Sequence, residues 1–215
     1  MNKNYKVAIR WDFLTKYYDF LVAFLMKDKM VKKSLINFFA NKNPHTLLDI
    51  GCGTGTLAIN LQKEFPTCHI VGLDGDTKIL AIAQQKITKE NFSIEIIRGL
   101  SYELPFADNT FEAATCTIML HHLSDVLKIQ TLKEARRVLK VGGEINIADW
   151  GKPSNWLMRL LFHLVQIIDG YDTTAANVKG QIPEMMRQAG FERVVELKKI
   201  NTILGTVSIY QGFKS

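Results

Sequence analysis

Residues 48–57 read LDIGCGTGTL, in which three glycines stand at alternate positions after an apolar run and an aspartate precedes the first by two residues. Glycines spaced in this way let a backbone pass close to a ligand, because a Cβ would block the approach or forbid the required backbone conformation. Between a strand and a helix, such a loop is typical of nucleotide binding. Asp49 does not fit a dinucleotide, because its carboxylate would repel the pyrophosphate.

A second aspartate, Asp74, ends the next apolar run, 23 residues after Gly51. A carboxylate at this place can accept hydrogen bonds from the two hydroxyls of a ribose. The loop reads G-x-G-x-G, whereas dinucleotide-binding proteins usually have G-x-G-x-x-G. S-adenosylmethionine meets both requirements, since it carries an ammonium group for Asp49 and a ribose for Asp74, and it has no phosphate.

From residue 43 onward the chain alternates short apolar runs with segments of helical period, which predicts a Rossmann-like α/β fold with a mainly parallel sheet and helices on both faces. We expect the apolar runs 191–198 and 206–213 to pair as a terminal antiparallel hairpin, because only a short stretch separates them. Ligands of such sheets bind beyond the carboxyl ends of the strands. The other predicted strands are 46–50, 69–74, 93–98, 113–118 and 144–149, and the predicted helices are 54–64, 77–88, 124–139 and 178–189.

We predict one domain, in which a helical lid (residues 1–42) precedes a core (residues 43–215) with an apolar cap insertion (residues 150–177). The net charge of +6 arises in the lid, which holds nine Lys/Arg and three acidic residues. The remaining 173 residues hold 18 Lys/Arg and 18 acidic residues and are neutral overall. A basic segment of this kind either is a solvated helix face or favours an anionic surface such as a membrane.

Several classes of protein are excluded by simple counts. The longest apolar stretch, residues 155–168, is too short for a membrane span and contains an arginine, and the first residues do not read as a signal peptide. The three cysteines are scattered and have no metal-ligand spacing, which argues against both disulfides and a zinc site. We therefore expect a cytoplasmic or membrane-peripheral protein without a metal centre.

Five segments of the chain resemble the class I S-adenosylmethionine-dependent methyltransferases, in the branch that includes ubiquinone/menaquinone and phospholipid methyltransferases. The segments are LLDIGCGTG, VGLDGD, LPFADNTFEAA, IMLHHL and LKVGGEINIADW. The N-terminal WDFLTKYYDF is similar to the FD-x(5)-YD segment of that branch at Asp12, Tyr18 and Asp19. The resemblance extends along nearly the whole chain and implies methyl transfer to a small acceptor, with S-adenosylhomocysteine as the product.

The resemblance also implies where the cofactor is held. Its methionyl end would lie against the glycine loop and Asp49, its ribose against Asp74, and Tyr18 would close over it. The family often reads G-D-A or G-N-A before ELPF, whereas this chain has Leu100, which cannot accept a hydrogen bond from adenine; Ser101 or a main-chain carbonyl would do so instead. The implied cofactor-binding residues are Tyr18, Asp49, Gly51, Gly53, Thr54, Asp74, Gly75, Ser101 and Thr117.

Three residues near the ligand-facing edge are candidates for catalysis. His121 and His122 follow the fourth strand and Asp149 ends the fifth. An imidazole titrates near neutrality and can remove a proton from a phenol or an enol, although a histidine at the start of a helix can also have a packing role alone. The aromatic and apolar residues of the lid and cap indicate a lipophilic acceptor such as a quinone precursor or a lipid, or else they pack these helices on the sheet.

Three other functions compete with this interpretation. A nucleic-acid methyltransferase of this fold usually carries [DN]PP[YF] after the fourth strand, where this chain reads TCTI, so nucleic acid is not the expected partner. An NAD-dependent oxidoreductase is disfavoured by Asp49 and by the terminal hairpin. A cofactor-binding protein without catalysis stays open, and Leu100 is the feature that favours it.

Overall fold

We describe a computed structural model of the chain, in residues 27–39 and 42–215. The predicted residue Tyr18 and most of the predicted N-terminal lid lie outside these ranges. The helices are α1 (Asp28–Phe39), α2 (Thr56–Glu64), α3 (Thr77–Lys89), α4 (Asp125–Val138), α5 (Trp156–Asp169), α6 (Tyr171–Lys179) and α7 (Ile182–Gln188). The strands are β1 (Thr46–Ile50), β2 (His69–Asp74), β3 (Glu95–Arg98), β4 (Phe111–Thr117), β5 (Leu139–Trp150), β6 (Glu192–Thr202) and β7 (Gly205–Phe213).

The seven strands form one sheet in the order β3-β2-β1-β4-β5-β7-β6. Strands β1 to β5 pair in parallel, whereas β7 is antiparallel to both β5 and β6. The predicted parallel sheet with a terminal antiparallel hairpin is therefore confirmed. The order of the strands reverses between β1 and β4, and ligands of open α/β sheets bind beyond the carboxyl ends of strands at such a point.

Alternate residues of the central strands enter two apolar clusters, one on each face of the sheet. Leu47 of β1 packs with α1, α2 and α5, whereas Leu48 and Ile50 pack with α4 and α7. Helices thus cover both faces, as predicted from the apolar runs of the strands. Among the helices that the structure describes, none has the length and hydrophobicity of a membrane span.

Two predicted elements differ most from the structure. The predicted helix 178–189 is divided in two, because Gly180 adopts a left-handed conformation (φ 71°) that ends α6, and α7 begins two residues later with a proline in its first turn. The strand predicted to begin after Gly142-Gly143 instead begins at Leu139, because the pairing of β4 with β5 shifts in register between Phe111 and Ala113 and the glycines lie within the strand.

The cap insertion forms α5 and α6, and α5 is held to the sheet by Phe162. The ring of Phe162 is buried, with its centroid 5.1 Å from that of Trp150. A Cβ at Gly205 would lie 2.9 Å from the Phe162 ring, so the glycine at the start of β7 is what lets α5 approach.

We predict that Phe162→Ala lowers the free energy of unfolding by about 3–5 kcal/mol, because it leaves a cavity between α5 and the sheet. Leu160→Ala, on the same helix but 57% exposed, is the control and should change this free energy by no more than about 0.5 kcal/mol. Urea denaturation of both variants measures the difference. Equal effects would show that α5 does not depend on this contact.

Candidate active site

The glycine loop between β1 and α2 has three residues in the left-handed region, since φ is 72° at Gly51, 53° at Gly53 and 71° at Gly55. A Cβ at Gly51 would come within 2.7 Å of the Met119 side chain, whereas a Cβ at Gly53 would have no atom of the described residues within 4 Å. Gly51 is therefore required for packing against the turn after β4. At Gly53 there is room beside the loop, where a ligand can approach the backbone.

Asp74 fixes the loop to the end of β2. Its Oδ2 accepts a hydrogen bond from the Gly53 amide at 3.0 Å, and its Oδ1 accepts one from the Asp76 amide at 3.0 Å. A carboxylate has about four lone-pair positions, so positions remain for the two hydroxyls of a ribose. Gly75 lies in the turn between these contacts. The structure thus brings Asp74, Gly75 and the loop together at one edge of the sheet.

Asp49 is buried without a compensating partner. The residue is 1% exposed, and neither carboxylate oxygen has a hydrogen-bond partner in the described part of the chain. Burial, together with the charge of Asp74, raises the pKa of this carboxyl to about 7, although Lys32 in α1 acts in the opposite direction. Burying a carboxylate without a partner is costly. The ammonium group of S-adenosylmethionine is a cation that fits this position.

Three other predicted cofactor residues differ in how their hydroxyls are used. The Thr54 hydroxyl accepts a hydrogen bond from Lys86 Nζ at 2.8 Å, and the Ser101 hydroxyl lies 3.0 Å from that of Thr131. Thr117 is the last residue of β4, and its buried Oγ1 has no partner among the described residues. Thr117 is thus the one of these three whose hydroxyl is not already bound within the described protein.

The turn after β4 contains a strained residue that the sequence did not indicate. Ile118 has φ 52°, which is rare for a β-branched side chain, and its amide donates a hydrogen bond to the Ala148 carbonyl at 2.7 Å. Such conformations concentrate at functional sites. The turn places Met119 against the glycine loop and leads into a short 3-10 helix, Leu120–His122. It therefore joins the cofactor loop to the predicted catalytic histidines.

His121 lies between two carboxylates. Its Nδ1 is 2.8 Å from Asp149 Oδ1, its backbone amide donates to Asp149 Oδ2 at 3.2 Å, and its Nε2 is 3.5 Å from Asp169 Oδ2. Burial by itself raises the pKa of Asp149, but the charge of His121 and its hydrogen bond, with the Trp150 amide, bring the net pKa below its ordinary value. Because an ionised carboxylate only accepts hydrogen bonds, the proton of this pair lies on Nδ1.

His122 packs its ring against that of His121, with the centroids 3.9 Å apart. Burial and then the neighbouring His121 lower the pKa of His122 to about 3, while Asp149 acts in the opposite direction. The His122 ring is therefore neutral near pH 7.

Asp169, the last residue of α5, was missed by the sequence analysis. Ligand atoms of His121, His122 and Asp169 lie within 4.8 Å of one another, so the expected absence of a metal stays a prediction.

Comparisons with known proteins agree with this geometry. Residues 47–143 match a family model described as a methyltransferase domain. A demethylmenaquinone methyltransferase of Lactobacillus johnsonii is 34% identical over 187 residues, which cover 78% of this chain and 75% of the relative. The enzyme of that name from Thermotoga maritima is 30% identical over 209 residues, covering 87% and 85%.

The solved structure of a Haemonchus contortus phosphoethanolamine N-methyltransferase 2 in complex with S-adenosyl-L-methionine superposes with a TM-score of 0.66 at 18% identity, and covers 79% of this chain and 48% of that one. At this identity the likeness concerns the fold. The relatives at 30–34% identity extend over most of both chains, and the buried Asp49, which has no hydrogen-bond partner among the described residues, suits the cationic cofactor of the matched family. The chain belongs to the class I S-adenosylmethionine-dependent methyltransferases and is an enzyme of that family.

Proposed function

We propose that this methyltransferase acts on a quinone precursor, a hydroxylated aromatic ring with an apolar tail, at the cytoplasmic surface of an anionic membrane. The observation that carries the proposal is the buried pair of His121 and Asp149 at the carboxyl ends of β4 and β5, which can remove a proton from a ring hydroxyl. The relatives from Lactobacillus johnsonii and Thermotoga maritima are named demethylmenaquinone methyltransferases. The apolar helix α5 leaves the same edge of the sheet.

In this proposal the residues around the glycine loop hold the cofactor. Asp49 pairs with the ammonium group, Asp74 binds the ribose, and Gly53 lets the backbone approach. Thr54, Gly75, Ser101 and Thr117 complete the proposed binding site. When bound, S-adenosylmethionine supplies an electrophilic methyl group, so the protein has mainly to align the acceptor and exclude water.

On the acceptor side, Asp149 orients His121 and His121 acts as the general base. With its proton on Nδ1 directed at Asp149, the ring can take the hydroxyl proton only at Nε2. The acceptor becomes a phenolate, whose oxygen and neighbouring ring carbon are stronger nucleophiles. Asp169, near Nε2, stabilises the imidazolium that forms. His122, which is neutral, shapes the wall beside it.

The region of residues 1–42 is proposed as a lid over this site. The charge of Lys32, in the second turn of α1, acts on the pKa of Asp49, so this described part of the region lies within electrostatic range of the proposed cofactor site. This proximity and the family resemblance support a covering role for Tyr18.

We predict that Asp49→Asn weakens the binding of S-adenosylmethionine about 100-fold or more, because the variant lacks the partner of the ammonium group. The same variant should be more stable by about 2–4 kcal/mol at pH 8. The carboxyl pKa is 3.8 when unfolded and about 7 when folded, so the cost of ionisation is absent below pH 3.8 and complete above pH 7.

Isothermal titration and urea denaturation measure the two effects. Asp76→Asn is the matched control, because Asp76 lies at the same edge and caps α3 through the Lys78 amide, a role that asparagine also fills. It should leave cofactor binding unchanged. Unchanged binding in Asp49→Asn would contradict the assignment.

The affinity of the wild-type protein for S-adenosylmethionine should fall by about tenfold for each pH unit below pH 7, as Asp49 becomes protonated. The sign follows from the raised pKa, since only the ionised carboxylate attracts the ammonium group. Titrations between pH 5.5 and pH 8 test this. Adenosine, which lacks the ammonium group, should bind without this dependence, and an equal dependence for both ligands would place the titrating group elsewhere.

We predict that His121→Asn lowers kcat about 100- to 10,000-fold with a short-chain demethylmenaquinol, while the Kd for S-adenosylmethionine stays unchanged. Asp149→Asn should lower kcat in the same direction, because it removes the group that sets the tautomer. His69→Asn, at the exposed start of β2, is the control. If His121→Asn loses stability but keeps its kcat, the pair has a structural role only.

A further inference from the structure

Helix α5 has two apolar faces, and only one of them is used by the sheet. Met158, Phe162 and Val165 are buried against the protein. The other face is formed by large apolar side chains that are 44–77% exposed. We call this set, Trp156, Leu157, Leu160, Leu164, Ile167 and Ile168, the outer face of α5. A helix that is apolar all round is normally buried, so the outer face is suited to an apolar environment.

The outer face presents no carboxylate. Among the 14 residues of α5, the formal charges are those of Arg159 and Asp169. The Arg159 guanidinium donates to Gln166 Oε1 at 2.8 Å, and Asp169 lies beside His121 on the protein side. Insertion of the outer face into an apolar phase would therefore not require the burial of an acidic group on that face.

The hairpin of β6 and β7 extends this surface. Its tip carries Ile203, which is exposed, and it is tied to the residues before α5 by the hydrogen bond from Ser154 to Asn201 at 2.7 Å. Strand β6 also carries Lys198, whose Nζ donates to Ser34 of α1 at 3.0 Å. Together with Lys199, this strand brings basic side chains to the hairpin whose tip carries Ile203, and in the sequence the net charge of +6 arises in residues 1–42.

We propose that the outer face of α5 together with Ile203 docks on a lipid bilayer that contains anionic lipids. Helices with an apolar face and basic flanks lie in the bilayer interface, where the apolar side chains and the charges both contribute to binding. A stable dimer uses about 20–30 residues on each side, and the seven residues of this surface fall short of that number. Shallow insertion into a bilayer requires one helix face only.

The purpose that we give to this docking, access to an acceptor dissolved in the bilayer, rests on the proposed function. Helix α5 follows β5 at the carboxyl edge of the sheet, where His121 and Asp149 lie. A bilayer that contacts the outer face is therefore next to the proposed acceptor site. A quinone precursor with an apolar tail dissolves in such a bilayer, so docking shortens its path to the enzyme.

The test is co-sedimentation of the full-length protein with phosphatidylcholine vesicles, with and without phosphatidylglycerol. The double variant Ile167→Ser/Ile168→Ser removes two apolar side chains of the outer face, and we expect its vesicle affinity to fall about tenfold or more. The matched control is Val126→Ser/Val141→Ser, whose valines are 75% and 74% exposed outside α5, and its affinity should equal that of the wild type. Higher salt and the absence of phosphatidylglycerol should weaken wild-type binding.

Failure to sediment with anionic vesicles, or equal affinity of the two double variants, would overturn the proposal. The proposal would also be overturned if light scattering showed that the wild type is a dimer and that the Ile167→Ser/Ile168→Ser variant is a monomer. A second copy of the chain, and not a bilayer, would then cover the outer face of α5. Titration with S-adenosylmethionine distinguishes a failure of the docking proposal from a failure of the proposed function. We expect the wild type and both double variants to bind S-adenosylmethionine equally. Vesicle binding without cofactor binding would contradict the function and leave the docking surface intact.

Discussion

The desolvation of Asp49 is the constraint on which the rest of the site depends. β1 lies in the middle of the sheet, between β2 and β4, so a charged side chain near its end is surrounded by protein. Its neighbours in register, Thr115 on β4 and Asn146 on β5, also bury polar atoms that have no partner among the described residues. A domain is stable by only about 5–15 kcal/mol, so a cost of several kcal/mol at one carboxylate is significant. In the proposed function, the cationic cofactor removes that cost on binding.

The strained turn after β4 connects the glycine loop to the pair of His121 and Asp149. Ile118 directs Met119 against Gly51, so the glycine loop and the turn fix one another's position. Three residues after Ile118, His121 is held by Asp149 through both its ring and its backbone amide. The proposed cofactor side and the proposed acceptor side are thus separated by one packed contact and a single helical turn. A displacement on either side would therefore affect the alignment that methyl transfer requires.

The features that the sequence predicted correctly are those that local patterns of residues determine. β1 and β2 have the predicted boundaries, and the helix predicted at 124–139 is α4, which Ser124 caps through the Leu127 amide, because apolar runs and cap residues act over a few residues. Features set by distant contacts escaped prediction. Asp169 reaches His121 only through the packing of the cap, and Thr131 occupies the Ser101 hydroxyl from 30 residues away. The left-handed Ile118 has no signal in the sequence, because nothing in a β-branched residue favours that conformation.

Asp49 and Asp149 show how one residue type acquires two roles. Both carboxylates are buried near the carboxyl ends of central strands, yet the pKa of Asp49 is raised and that of Asp149 is lowered. The difference lies in the partners, since Asp149 has His121 and two backbone amides whereas Asp49 has no hydrogen-bond partner in the described chain. Opposite shifts in one site separate functional roles. Asp149 is paired with His121 and, in the proposed function, orients it as the base, while Asp49, which has no hydrogen-bond partner among the described residues, is the proposed partner of the cofactor's ammonium group.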